Sequence, residues 1–156
     1  MATTARLAAL LGVICCTRSS ILPAQSAEAA RARALYGCWK TDVGAFKAIT
    51  KVGIDSGLTN VPPMVRLDTL PGRSFTNQLH GRLLTAMPGA SGSRYREGYY
   101  ELSGTNVVAM NWTNGFVGLG ISLKQTSDSM RGTAQAWTDY LGAMEAPITL
   151  RRTACP

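Results

Sequence analysis

Along much of this chain apolar residues fall on every second position, in short runs. In FVGLGISLK (116–124), Val117, Leu119, Ile121 and Leu123 share one face, and Gly118, Gly120, Ser122 and Lys124 share the other. A pleated strand sends successive side chains to opposite sides, so this reads as a strand with one buried face. NVVAMNWT (106–113) sets Val108, Met110 and Trp112 against Ala109 and Asn111. SMRGTAQAW (129–137) sets Met130, Gly132, Ala134 and Ala136 against Arg131, Thr133 and Gln135. PMVRLDTL (63–70) buries Val65 and Leu67, and PITLRRT (147–153) buries Ile148 and Leu150. QLHGRLLTA (78–86), RYREGYYEL (94–102) and LYGCWKT (35–41) complete eight candidate strands. Gly, Pro, Asn, Asp and Ser separate them, with Thr113-Asn114-Gly115 as a hairpin turn. The pattern is all-β, a barrel or a sandwich.

The first residues do not belong to that pattern. Arg6 precedes LAALLGVICC (7–16), an apolar run of signal-peptide length that is too short to span a bilayer. Ala24-Gln25-Ser26 offers a small-x-small cleavage signal before Ala27. We therefore expect a removed secretory leader over 1–26, a linker over 27–34 and one domain over 35–156. The expected location is secreted or periplasmic, with no stable membrane anchor in the mature chain. An organelle transit peptide is the alternative, because no acid precedes Glu28. Cys15 and Cys16 leave with the leader, and Cys38 and Cys155 remain. In an oxidising compartment an even pair is expected to bridge, with two free thiols as the alternative.

One segment departs from period two. DVGAFKAITKVG (42–53) places Val43, Phe46, Ile49 and Val52 three apart, with Asp42 as an N-cap and Gly53 as a stop. Read as a strand it makes nine; read as a helix it leaves eight. In an even-numbered up-and-down barrel the first and last strands pair antiparallel, which brings Cys38 beside Cys155. The expected fold is therefore a single antiparallel eight-stranded β-barrel with one short helix after the first strand. A β-sandwich is the alternative.

Strand parity puts Gly37 and Trp39 on the inner face of the first strand and Cys38 outside. Ile148, Leu150 and Arg152 share the inner face of the last strand, so Arg152 approaches Trp39, where a guanidinium stacks on indole. A Gly-x-Trp on the first strand, with an Arg near the chain end covering that Trp, resembles the calycin superfamily of lipocalins and fatty-acid-binding proteins. GCWK (37–40) is similar to the start of the fatty-acid-binding branch, while the leader and cysteine pair are more like lipocalins. The resemblance implies barrel closure by Gly37, Trp39 and Arg152 and a ligand in the lumen. The closing Arg-x-Tyr of the fatty-acid-binding branch is matched here only by Arg151 and Thr153, without the phenol.

No catalytic or metal constellation emerges, and no cofactor is expected. His80 is the single histidine. Glu97 and Glu101 share a face with Tyr95 and Tyr99, which reads as an outward face. Asp139 and Tyr140 sit in a turn, and Asn111-Trp112-Thr113 is a glycosylation sequon only in a glycosylating host. Net charge is +7, but the cations are dispersed, with small clusters at Arg31 and Arg33, Arg94 and Arg96, and Arg151 and Arg152. Nucleic-acid binding is not expected from such a distribution.

The first expected function is an exported carrier holding a small apolar or amphipathic molecule in the lumen. Its wall would be Val65, Leu67, Val108, Met110, Trp112, Leu119, Ile121, Met130 and Ala134, with Gly132 and Ala136 leaving room. A second reading is an exported protein-binding or inhibitor module, which requires a filled barrel and an exposed apolar patch. A third is a barrel isomerase or cyclase acting on an apolar substrate, which requires an ionisable group in the lumen.

Overall fold

The computed structural model describes residues 21–50, 56–87, 97–140 and 142–156. Its strands are β1 (Gly37–Val43), β2 (Lys47–Ala48), β3 (Met64–Arg73), β4 (Leu79–Ala86), β5 (Glu97–Ser103), β6 (Val107–Thr113), β7 (Val117–Gln125), β8 (Ser129–Thr138) and β9 (Gly142–Thr153). Helix α1 (Ile21–Leu35) precedes them, and a single 3-10 turn, Ser56–Thr59, lies between β2 and β3. Strands β1 and β3 to β9 pair in chain order and β9 pairs back onto β1, all antiparallel. The wall is a closed eight-stranded barrel. Each of the eight candidate runs supplies one of its strands, and closure excludes the sandwich.

The disulfide is formed between Cys38 and Cys155, with Cα atoms 5.2 Å apart and a sequence separation of 117. It lies at what we term the closure end, where β1 begins and β9 finishes. There Trp39 faces Arg152 and Cys38 faces Thr153 across the β1–β9 ladder.

The helix expected over 42–53 is not formed in the described part of that span. Asp42 and Val43 end β1, and Lys47 and Ala48 form β2 against Glu145 and Met144 of β9. The cause is the length of β9. Its twelve residues reach past β1 and offer free backbone groups, which take Gly44 N–H at Pro147 O (2.9 Å) and Ile49 N–H at Ala143 O (2.8 Å). Val43 and Phe46 still pack against the core. Residues 51–53 lie outside the described residues. The short helix after the first strand is instead the Ser56–Thr59 turn, which lodges buried Leu58 near β7 and β8.

Residues 27–34, read as a linker, form the second half of α1, which caps the closure end. Ala32 and Leu35 are fully buried. Arg31 donates to the carbonyls of Gly104 (2.9 Å) and Val107 (2.7 Å) around the β5–β6 turn, and Arg82 pairs with Glu28 (3.2 Å). The helix is anchored by apolar burial at its C-terminal turns and by charge on its flank.

Strands β3 and β4 continue beyond the wall as a long arm. Register breaks at Leu67/Pro71 and Pro71/Arg73 mark bulges, and Pro71 has no amide hydrogen to offer the ladder. Gly81 takes a left-handed φ of 54°. The arm then turns back over the barrel's outer surface: His80 meets outward-facing Tyr99 edge to face at 4.4 Å, and the Phe75 ring lies against Gly115 of the β6–β7 turn.

Replacing both Cys38 and Cys155 by serine should lower the unfolding free energy by about 2–5 kcal/mol, with the barrel still formed. Urea denaturation, compared with and without reductant on the parent chain, measures this.

Candidate functional site

The closure end shows what Gly-x-Trp does here. Gly37 has a φ of 121°, a conformation open to glycine, at the point where α1 gives way to β1. Trp39 then enters the barrel with 1% of its surface exposed, and its indole N–H donates to Leu35 O at 2.9 Å. The Arg152 guanidinium lies 4.8 Å from the Trp39 ring. It also donates to Tyr36 O at 3.0 Å and to Ala34 O. Those carbonyls belong to the end of α1, where unpaired acceptors and the negative pole of the helix favour a cation. Gly37, Trp39 and Arg152 thus join three parts of the chain by stacking and capping.

The nine residues expected to line a ligand are brought together inside the barrel. Val65, Leu67, Val108, Met110, Trp112, Leu119, Ile121, Met130 and Ala134 are all buried, with exposures of 0–2%. Leu84, Tyr100, Leu123, Ala136, Ile148 and Leu150 fill the same space, and Leu35 and Leu58 belong to the same cluster. A lumen able to hold one water molecule would leave accessible surface on the side chains around it. These have almost none. Ala134 and Ala136 share one packed cluster with Trp112, Met110 and Tyr100, so small and large side chains fill the interior together. Tyr100 is polar but satisfied, donating to Asp68 O at 2.7 Å.

His80, Glu97 and Glu101 stay outside the lumen, whereas the Tyr100 phenol lies within the buried core. His80 pairs with Glu101 at 3.1 Å, both about half exposed on the outer surface. Glu97 is exposed, and Tyr99 is half-buried on the same outward face. Burial, and then the charge of Glu101, push the Tyr99 phenol above its ordinary range. Tyr95 lies outside the described residues. Among the described residues no group of three or more His, Cys, Asp or Glu side chains is placed to hold a metal.

The end opposite the closure carries large apolar side chains in solvent. Phe116 (62% exposed) belongs to the β6–β7 turn and Tyr140 (85%) to the β8–β9 turn. Asp139 N–H donates to Phe116 O at 3.0 Å, tying these turns together. Phe75, exposed at the arm's tip, rests on neighbouring Gly115. Ile49 is attached to the same end through Ala143. Sequence reading placed Tyr140 in a turn but did not bring that turn to Phe116, nor Phe75 to Gly115. That juxtaposition depends on the folded-back arm, which has no periodic signature.

Comparison with family models, curated proteins and solved structures finds no significant match.

Two outcomes follow from this geometry. Arg152→Ala should cost about 1 kcal/mol through loss of the cap and stack, and should reduce far-ultraviolet helical signal because α1 loses its C-terminal partner. Burial pushes the Tyr100 phenol up to about 12 from 10.0, with nearby Arg82 opposing that shift. The folded state therefore holds this proton more tightly than the unfolded chain does. The stability it contributes is complete below pH 10 and is lost as pH rises from about 10 to about 12. Tyr100→Phe should flatten that alkaline decline in a pH series of urea denaturations, although it loses the bond to Asp68 O.

Proposed function

We propose that this chain is an exported, calycin-like, non-enzymatic module that binds a protein partner through the apolar end of its barrel. The observation that carries the reading is the filled interior: the inward residues expected to contact a ligand are 0–2% exposed. A carrier needs space that these side chains already occupy, and the ionisable Tyr100 in the core is committed to Asp68 O. The exposed Phe116, Tyr140 and Phe75 supply the other half of the requirement, because clustered surface aromatics are what interfaces use.

Membership of the calycin superfamily is supported by the closed eight-stranded barrel, the Gly37-Cys38-Trp39 start and the Arg152 stack on Trp39. Export is supported by the disulfide. No described helix is long and apolar enough to cross a membrane.

Two sets of variants test the reading in a titration with the fluorescent probe 1-anilinonaphthalene-8-sulfonate. Phe116→Ser with Tyr140→Ser should remove most of the probe signal while changing stability by no more than about 0.5 kcal/mol. Ala134→Leu should leave the signal intact and cost about 1–3 kcal/mol, the expected penalty for overpacking a full core. The opposite pattern, with a stable Ala134→Leu protein that loses saturable one-to-one binding of a fluorescent fatty acid, would restore the carrier reading.

A further inference from the structure

Between helix α1 and β5 lie two cavities, of about 400 and 520 Å³. Glu28 and Leu102 line both, so they are two halves of one cleft. The first half exists because β4 leaves β5 there. Pairing between these strands runs only from Arg82 and Tyr100 to Thr85 and Glu97, and left-handed Gly81 carries the arm away. Arg82, Tyr100 and Glu101 line the space this opens. Arg31 lines the second half, under the helix and beside the β5–β6 turn.

Unmet donors coincide at this cleft. The Nε–H groups of Arg31 and Arg82 are both buried and have no hydrogen-bond partner. A buried donor left unpaired is costly, and folded proteins keep few of them. The rest of each guanidinium is used. Arg31 donates through Nη1 to Gly104 O and through Nη2 to Val107 O. Arg82 donates through Nη1 to Thr69 O at 3.3 Å and through Nη2 to Glu28 Oε1 at 3.2 Å.

In Arg82 the unmet donor is half of a fork. Nε–H and Nη2–H point the same way and can take both oxygens of one carboxylate or phosphate. Glu28 gives the fork a single bond, longer than the roughly 2.7–2.9 Å usual between such charges. Its side chain is 54% exposed, and exposed ion pairs hold weakly. Helix α1 has other anchors in buried Ala32 and Leu35 and in the Arg152 cap. Glu28 is therefore a displaceable occupant of the fork. The other carboxylate in the cleft, Glu101, is paired with His80 at 3.1 Å. Arg31 has only neutral carbonyls as partners. Unmet cationic donors call for anionic oxygens. A volume of about 400 Å³ exceeds what an inorganic ion needs and falls within the roughly 300–1,000 Å³ of small-molecule sites.

We propose that this cleft binds a small organic oxyanion, a carboxylate or a phosphate ester, whose charged group takes the Nε–Nη2 fork of Arg82 in place of Glu28. The uncharged part of the ligand lies along Leu102. The β5–β6 turn puts this site at the closure end, so it stands whether or not the opposite, apolar end binds a protein.

Two-dimensional NMR of the full chain observes arginine Nε–H groups alongside the backbone amides. Titration with benzoate or phenyl phosphate, at constant ionic strength, should give saturable shifts at Arg82 Nε–H and at the amides of Gly81 and Leu102, with Phe116 and Tyr140 unmoved. Benzyl alcohol keeps the ring without the charge and should give none. Saturation by benzoate alone identifies a carboxylate site, and by phenyl phosphate alone a phosphate site; either result, or both, supports the proposal. Glu28→Gln removes the competing charge and should tighten binding at least about threefold. Arg82→Lys keeps the charge, loses the fork and should weaken binding at least about tenfold. Glu28→Gln alters an exposed side chain, which keeps the test open if the Arg82→Lys protein misfolds. Absence of saturable shifts with both anions overturns the proposal. So does equal binding of benzyl alcohol, undiminished binding in Arg82→Lys, or a Glu28→Gln protein that binds no more tightly than the parent, the result expected if Glu28 only anchors the helix.

Discussion

The guanidinium of Arg152 holds together parts of the chain that are far apart in sequence. One face lies on the Trp39 ring, and its N–H groups reach the carbonyls of Ala34 and Tyr36. The last strand, the first strand and the end of the leading helix therefore meet at one planar cation. Its shape matters, because a guanidinium stacks and donates in fixed directions where an ammonium would be a point charge. With β1 pinned to β9 the barrel wall has no free edge between its first and last strands, which removes there the template that an open edge offers another chain's strand.

Closure also sets the interior. Eight strands give a lumen that side chains alone can fill, and this sequence fills it by alternating sizes: Ala134 and Ala136 stand among Met110, Trp112, Leu119 and Tyr100. Leu58 from the 3-10 turn and Leu35 from α1 join the same packed cluster. The exposed Phe75, Phe116 and Tyr140 then stand out as apolar surface that the fold has not used internally.

The eight wall strands were legible because turn residues interrupt a strict period of two, and because burial on one face forbids a register slip. The inner face of β7, Val117 to Leu123, is the plainest case. The helix misplaced at 42–53 shows the limit of local pattern. Apolar residues three apart suit a helix, yet β9 extended far enough to capture Lys47 and Ala48 as a strand. Helix α1 was hidden for the opposite reason. Its alanine-rich stretch has no amphipathic stripe, so it read as leader and linker, and its docking relies on Arg31, Ala32, Leu35 and a cap contributed from position 152. Tyr100 escaped because RYREGYYEL has aromatic residues at both parities.

The bond between Cys38 and Cys155 has a further consequence. Covalently, the barrel domain is a ring, closed by a bond between cysteines at a sequence separation of 117. A single backbone cut in the connection between β1 and β3, or in the one between β4 and β5, produces two polypeptides but not two molecules. The pieces stay tethered at the closure end with their strands still side by side. Such a nicked chain keeps its original termini beside the new ones, and it is held by the disulfide and by the ring in which its strands pair.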